Sequence, residues 1–292
     1  RDVAPSRGLG DVYKRQMYVI HYSIKQKPNI RLLFLNKIRK IIDTKNIQCY
    51  HFLKHWIFQR RREKMEELYD GKTKTVLLDE KNKEVYLLFK DSATGEDGVF
   101  DPGSNTVGGS VDGKGKIGLI ISKYFFELME KNGIPTHYLD ADIEKGMMKV
   151  RQLTVPNLEF VLRYFTAGSM CRRFTLPEGL PFDPPYLEVT LKDDEQGDPL
   201  ITDRLCQMKG ILKPMQYDEG LDILTRVGTV LRETLAEMNL TLIDFKIEIG
   251  YDDEGKMYVV DEITPDIWRV KDEAGNIPNQ ICLLYTSPSP RD

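Results

Sequence analysis

The residues best placed to do chemistry lie in one stretch, Thr241 to Asp272, TLIDFKIEIGYDDEGKMYVVDEITPDIWRVKD. Leu242 to Gly250 is rich in apolar residues, Tyr251 to Lys256 is a turn rich in Asp and Gly, and Met257 to Ile263 is a return strand, so the stretch predicts a β-hairpin. Side chains alternate faces along a strand, which puts Asp244, Lys246 and Glu248 on one face and Phe245, Ile247 and Ile249 on the other. With the loop closing on Asp253 to Lys256, Glu248 falls opposite Asp261. Like charges side by side across a ladder repel, and a cation between them removes the repulsion. A small set of hard oxygen ligands open to solvent suits Mg²⁺ holding substrate phosphates. The same pattern also fits a solvated polar face on an ordinary hairpin.

Three further groups carry charge suited to anions. In ELYDGKTKTVLLD, Gly71 precedes Lys72 and Lys74, which are two apart and share a strand face. Glycine allows close backbone approach and lysine supplies point charge, a combination that can cover a polyphosphate. It is neither a P-loop nor a full kinase glycine-rich loop, and by itself such a pair more often marks a solvated strand face. In RYFTAGSMCRR, Arg163 ends a strand, Ala167-Gly168-Ser169 makes a tight connection, and Arg172-Arg173 open a helix. Backbone N–H groups, a hydroxyl and an Arg fork make an anion cradle, or else a surface arginine cluster. After a short strand at Leu187 to Lys192, the acidic turn KDDEQGDP offers Lys192 and Asp198.

The elements that must hold these groups follow from periodicity. Glu67 to Asp79 and Glu84 to Lys90 read as two strands joined by EKNK. Lys90 to Gly118 is a Gly-, Asp- and Ser-rich loop, long enough to be functional or mobile. Ile117 to Lys131 has the apolar period of a helix (Ile117, Ile120, Ile121, Tyr124, Phe125, Leu128) that stops at Asn132-Gly133. His137 falls in a strand and reads as structural. Met147 to Thr154 and Leu158 to Phe165 read as paired strands around Pro156-Asn157. Asp218 to Met238 is an amphipathic helix with Asp218 as its N-cap.

The whole chain has 292 residues, 30% charged and 41% hydrophobic, with a net charge of -3. That suits one large or two modest soluble domains, and no apolar run is long enough to span a membrane. Arg1 to Lys64 nevertheless carries 16 basic and 4 acidic residues, so the rest holds the acidic excess. A basic arm for nucleic acid is one explanation. The ends favour another. Gly10 to Gln16, GDVYKRQ, and Cys282 to Ser287, CLLYTS, are two translations of one sequencing-adapter element, so residues 1–16 and 282–292 are expected to be adapter-derived. Met17 to Lys64 lacks Gly and shows no sustained period, and two AGG codons at Arg61-Arg62 would form a ribosome-binding sequence just before Met65. Residues 17–64 are therefore expected to be translated upstream DNA, with Met65 as the natural start. The remaining chain keeps two cysteines, Cys171 and Cys206, and one histidine, His137. That implies a reducing cytosol and argues against a structural zinc site or a Ser-His-Asp triad.

LYDGKTKTV, KDSATG with GKGK, VLRYFTAGSMCRR, LKDDEQGDP, LIDFKIEIG and DEITPDIWR, in this order from Leu68 to Arg269, together resemble the phosphoribosylaminoimidazole-succinocarboxamide synthase family. The resemblance implies an α+β, two-lobed ATP-binding fold, with a small β-rich lobe at 65–150 over a larger lobe at 151–281. It implies a cytoplasmic ligase that joins L-aspartate to the carboxylate of a carboxyaminoimidazole ribotide, with ATP and Mg²⁺. By matched position, Lys72, Lys74 and Lys192 would contact the nucleotide and Val76 would sit near the adenine. Glu248 and Asp261 would hold Mg²⁺, and Arg163, Ser169 and Arg269 would bind the ribotide phosphate, with Asp198 a further substrate candidate. Lys246 either steers the reacting carboxylate or pairs with Asp244. The partners implied are small molecules, not nucleic acid or membrane; the oligomeric state stays open, a homo-oligomer included. A small-molecule kinase using the same Mg²⁺–ATP half-site is the alternative, and a non-catalytic nucleotide-binding module a further one. Departures are Val270-Lys271 after Arg269 and Gly118 where many members carry Asn, and a further C-terminal helix is expected beyond Ile281.

Overall fold

A computed structural model describes residues 65–96, 99–100, 106–193 and 195–278. The expectations for residues 1–64 and 282–292 fall outside them.

Among the described residues every pairing between named strands is antiparallel, and the strands form two five-stranded sheets and one small sheet of three. The first sheet runs β1 (Glu66–Asp70), β2 (Lys74–Asp79), β3 (Glu84–Phe89), β8 (Met147–Val150), β7 (Tyr138–Asp142). The single strand expected over Glu67 to Asp79 is thus two, broken where the Gly71 N–H donates to the Lys74 carbonyl at 2.8 Å. The long loop contains the small sheet: β4 (Ser92–Glu96) flanked by β5 (Val99–Phe100) and β6 (Val107–Ser110). The second large sheet runs β10 (Pro181–Leu191), β9 (Leu158–Phe165), β11 (Thr241–Tyr251), β12 (Met257–Val260), and β13 (Trp268–Lys271) also pairs with β11. The strands around Pro156-Asn157 do not pair with each other: β8 joins β3 and β7, while β9 joins β10 and β11. Proximity in sequence suggested a hairpin, but each strand finds a better-matched partner in a different sheet.

Four helices lie among the described residues: α1 (Lys114–Lys131), α2 (Ser169–Phe174), α3 (Asp203–Met208) and α4 (Gln216–Ala236). On α1 the deepest stripe is Leu119, Phe126 and Met129, rotated from the expected one, and Tyr124 is exposed. Arg172 and Arg173 close α2 rather than open it. On α4 the residue before the helix is Met215, in the left-handed region at φ 74, so Asp218 is not the cap but sits in the first turn, where its charge still complements the helix dipole. One apolar core joins β3, β8, α1, α4 and the inner face of the β9–β11 sheet. The helix α4 lies so close that a Cβ at Gly228 would come within 2.9 Å of Leu162, which is why glycine stands there. With Phe160, Leu162, Phe245 and Ile247 buried on this side, period-two alternation leaves the charged residues of β9 and β11 on the other face.

Candidate active site

That polar face is organised along β11. Its neighbour β9 sets Arg163 beside Asp244, and β13 sets Arg269 beside Asp244 from the other side. Arg163 is only 3% exposed. Its Nε and Nη2 donate to Glu188 Oε1 at 3.1 and 2.7 Å, and its Nη1 donates to Asp244 and to the Ala167 carbonyl, the latter at 3.2 Å. Asp244 also accepts from Nε and Nη2 of Arg269, both at 2.9 Å, and Glu188 accepts from Arg173 Nη2 at 2.6 Å. Charges therefore alternate along Arg173–Glu188–Arg163–Asp244–Arg269. Arg163 is the buried centre of this chain, and the outer arginines Arg269 and Arg173 reach solvent. Gly168 makes room for one of them: at φ 59, a Cβ there would overlap the Arg269 guanidinium. Exposed Ser169 follows at the start of α2.

Four residues along the same strand face lie the carboxylates. The hairpin register differs from the sequence expectation by one: Glu248 stands opposite Val260, where β12 ends. Asp261 comes next with φ 71, a left-handed conformation that Asp tolerates better than most residues. This kink ends the strand alternation that would otherwise govern where Asp261 points. Lys74 Nζ lies 3.1 Å from Asp261 Oδ1 and 2.5 Å from Glu262 Oε1. Lys192 Nζ donates to Glu248 Oε1 at 2.6 Å. Burial, with the charge of Asp261 adding to it, raises Glu248 well above the usual carboxylate range. Burial would also raise Asp261, but the ammoniums of Lys74 and then Lys192 outweigh it and hold this carboxyl below its ordinary value. The two acids thus interact through a shared field, and Lys74 and Lys192 provide the positive charge between them.

Other expected residues are placed differently. Lys72 is exposed in the turn between β1 and β2, so it shares no strand face with buried Lys74. Val76 is half-buried on β2 against the core. Lys246 Nζ pairs with Glu159 Oε1 at 2.8 Å and not with Asp244, whose oxygens face arginines. Asp198, at φ 52, closes the acidic turn: its Oδ1 accepts from the Asp193 N–H at 2.9 Å. Sequence reasoning missed Glu159, Glu188 and Glu262, the three glutamates that hold Lys246, Arg163 and Lys74. It also missed Lys114, which pairs with Asp266 in a buried contact. GKGK and DEITPD were both visible as motifs, but nothing in their spacing joins residues 152 positions apart.

His137 is buried and structural. The backbone bonds of Pro135 and His137 with Val259 clamp it beside the hairpin, its ring meets Phe126 edge-on, and its Nε2 has no partner. Burial first, with Lys74 assisting against Asp261, pushes its pKa down to about 4. The unfolded chain takes up this proton near pH 6.5, the folded chain only near 4. Stability is therefore full above pH 6.5 and falls as the pH drops through this window, by roughly 3 kcal/mol in all. Urea denaturation between pH 7 and 4 should show this slope, and His137→Gln should flatten it; an unchanged slope would remove His137 as its source.

No group of three or more His, Cys, Asp or Glu among the described residues forms a ready metal cage. Glu248, raised by burial and then by the charge of Asp261, nevertheless forms with Asp261 a pair that matches the sparse protein donor set of Mg²⁺, which keeps waters and takes substrate phosphates for its remaining ligands.

Comparison with known proteins places the chain in a family. The family model for SAICAR synthetase matches residues 67–280. A phosphoribosylaminoimidazole-succinocarboxamide synthase of Clostridium tetani is 41% identical over 206 residues, 68% of this chain and 89% of that protein. That of Finegoldia magna is 37% identical over 212 residues, 73% and 88% of the two chains. A SAICAR synthetase solved in complex with ADP superposes with a TM-score of 0.66 at 29% identity, over 77% of this chain and 99% of its own. The Ehrlichia chaffeensis enzyme gives 0.65 at 26% identity, over 73% and 88%. An α+β fold shared with these enzymes, a family match over most of the chain, and relatives covered over nearly nine-tenths of their length leave one assignment: this chain belongs to the SAICAR synthetase family.

Proposed function

We propose that the polar face of the β9–β11–β13 sheet binds a carboxyaminoimidazole ribotide and couples its carboxylate to L-aspartate at the expense of ATP. The carrying observation is the layout of β11. Asp244, with Arg269 on it, and Glu248, beside Asp261, lie four residues apart on one face, roughly 13 Å by strand rise. A nucleotide-sized substrate spans that length, its phosphate at the arginine end and its reacting carboxylate at the acidic end. Arg269 and Ser169 bind the phosphate; Arg163 holds Asp244 and thereby orients Arg269.

At the acidic end, Lys74 stays an ammonium because Asp261 and Glu262 outweigh the cost of its burial. Lys74 and Lys192 bind the ATP phosphates as point charges. Glu248 and Asp261 would hold Mg²⁺, which when bound neutralises charge on the transferring phosphoryl group. A carboxylate oxygen attacks the γ-phosphorus, and ADP leaves with the bonding pair. The amine nitrogen of aspartate then attacks the activated carboxyl carbon. The C–N bond forms, phosphate departs with the C–O electron pair, and the amine proton goes to phosphate or solvent. This route needs positioning and charge neutralisation rather than a covalent nucleophile, in keeping with a described chain whose one histidine is buried. The substrates are small, charged metabolites, and a cytosolic setting belongs to the same reading.

ADP release measured with each substrate omitted in turn is the test. The expected result is release that requires both L-aspartate and the ribotide. Steady ADP release with the ribotide alone would mean phosphoryl transfer to another acceptor, and the ligase reading would fall.

A further inference from the structure

Beside the carboxylates is a second feature that this reading leaves unused. A cavity of about 10 Å³, room for one water-sized group, lies between Thr73, Phe89, Lys90, Lys114, Glu262 and Asp266. Asp266 is 8% exposed, and its two oxygens differ. Oδ2 meets the buried Lys114 ammonium, while Oδ1 is buried without a hydrogen-bond partner. A buried carboxylate oxygen in want of a donor is costly, and structures rarely keep one without a reason. The side chains around it are largely engaged already. Glu262 Oε1 accepts from both Thr73 Oγ1 and Lys74 Nζ, and Lys90 Nζ lies 2.5 Å from Asp70. Thr264 Oγ1, which also lines the cavity, accepts from the Asp266 N–H, and no described donor reaches Oδ1; a water or a ligand group entering past half-buried Thr73 and Lys90 would complete it.

We infer that this cavity receives the amino group of the amino-acid substrate, with Asp266 Oδ1 accepting one of its N–H bonds. The inference rests on the ligase reading above and specifies where the nucleophile is held. The location suits the chemistry. Lys74 bridges Glu262, on the cavity wall, and Asp261, at the phosphate end, through contacts of 2.5 and 3.1 Å. The cavity thus borders the end of the site at which the carboxyl group is activated. The volume fits an ammonium or amine head and excludes a carboxylate, so the acidic groups of the amino acid remain outside it. Lys114 holds Asp266 by its other oxygen, which leaves Oδ1 without a partner beside the cavity.

Succinate separates this role from a merely structural one, because it has the two carboxylates of L-aspartate but no amine. Wild-type enzyme should bind L-aspartate, by KM, about tenfold or more tighter than succinate, by inhibition constant. In Asp266→Asn that discrimination should collapse: the L-aspartate KM rises about tenfold, while the succinate constant and the KM values for ATP and ribotide stay within about twofold. Discrimination retained in Asp266→Asn, or affinity for succinate and aspartate lost together, would overturn the assignment. Should that variant not fold, the wild-type comparison decides, since equal binding of succinate and L-aspartate excludes an amine subsite. Failure of the ligase reading looks different: wild-type ADP release would not depend on aspartate at all.

Discussion

Replacing Asp261 by Asn should stop amide formation while leaving the chain folded. The substitution removes one negative charge and little else. Asn is among the few residues that accept the left-handed conformation found here, φ 71, so the kink after β12 survives. Lys74 keeps its 2.5 Å contact with Glu262 and is not stranded. The proposed metal site, however, falls from two carboxylates to one. Charge neutralisation at a transferring phosphoryl group contributes several kcal/mol, so turnover should drop roughly a thousand-fold. The urea midpoint should correspond to a stability change within about 1 kcal/mol of wild type. A variant with wild-type turnover would remove Asp261 from the site. One that is inactive because it is unfolded would show the loss to be structural.

The second large effect concerns Arg163, where the buried geometry supports a structural role beside the expected one. Matched position makes Arg163 a phosphate ligand, whose loss should mainly weaken ribotide binding. The geometry makes it the centre of a buried ion-pair chain. Asp244 is 3% exposed and Glu188 5%, and Arg163 donates to both. Arg163→Ala leaves two buried carboxylates short of a cation, a loss that costs about 3–5 kcal/mol where such pairs have been broken. Arg269 and Arg173 still hold one oxygen set each, which places the expectation at the lower end. For a unit of this size that is a fall in Tm of roughly 10 °C. Arg163→Lys should recover little of it, because a single ammonium cannot bridge both acids as a guanidinium fork does. Arg269→Ala, at the solvent end of the chain, should instead raise the ribotide KM with a much smaller change in Tm. If Arg163→Ala melts like wild type and only ribotide binding weakens, the buried-pair account is wrong.

The raised Glu248 belongs to the same electrostatic picture. Its carboxyl resists ionisation because it is buried near Asp261, while Asp261 ionises readily because Lys74 and Lys192 face it. Two acids in one cleft are thus driven in opposite directions by their neighbours. That asymmetry comes from which lysine reaches which oxygen, not from the residue types.

Local pattern was enough for the local elements. Alternation in LIDFKIEIG foretold β11 and the face shared by Asp244, Lys246 and Glu248, because the period of a strand is a property of the backbone. The helices at Lys114–Lys131 and Gln216–Ala236 showed their apolar period, though they start three and two residues earlier than expected and the buried stripe of α1 is rotated. Motif order across Leu68 to Arg269 was sufficient for the family, since six ordered matches constrain far more than any single spacing. What the sequence could not decide was every relation that depends on chain closure. The register of the hairpin moved by one residue, a change invisible to pattern because the turn tolerates either count. The φ of Asp261 then redirected a side chain whose direction strand alternation would have set otherwise. Partners 188 and 152 residues apart, Lys74 with Glu262 and Lys114 with Asp266, were brought together by packing of one sheet and one helix against the hairpin. Charge type and local period are written in the chain; which charge meets which is settled by how the layers pack, because an ion pair depends on distance in space and not on distance along the sequence.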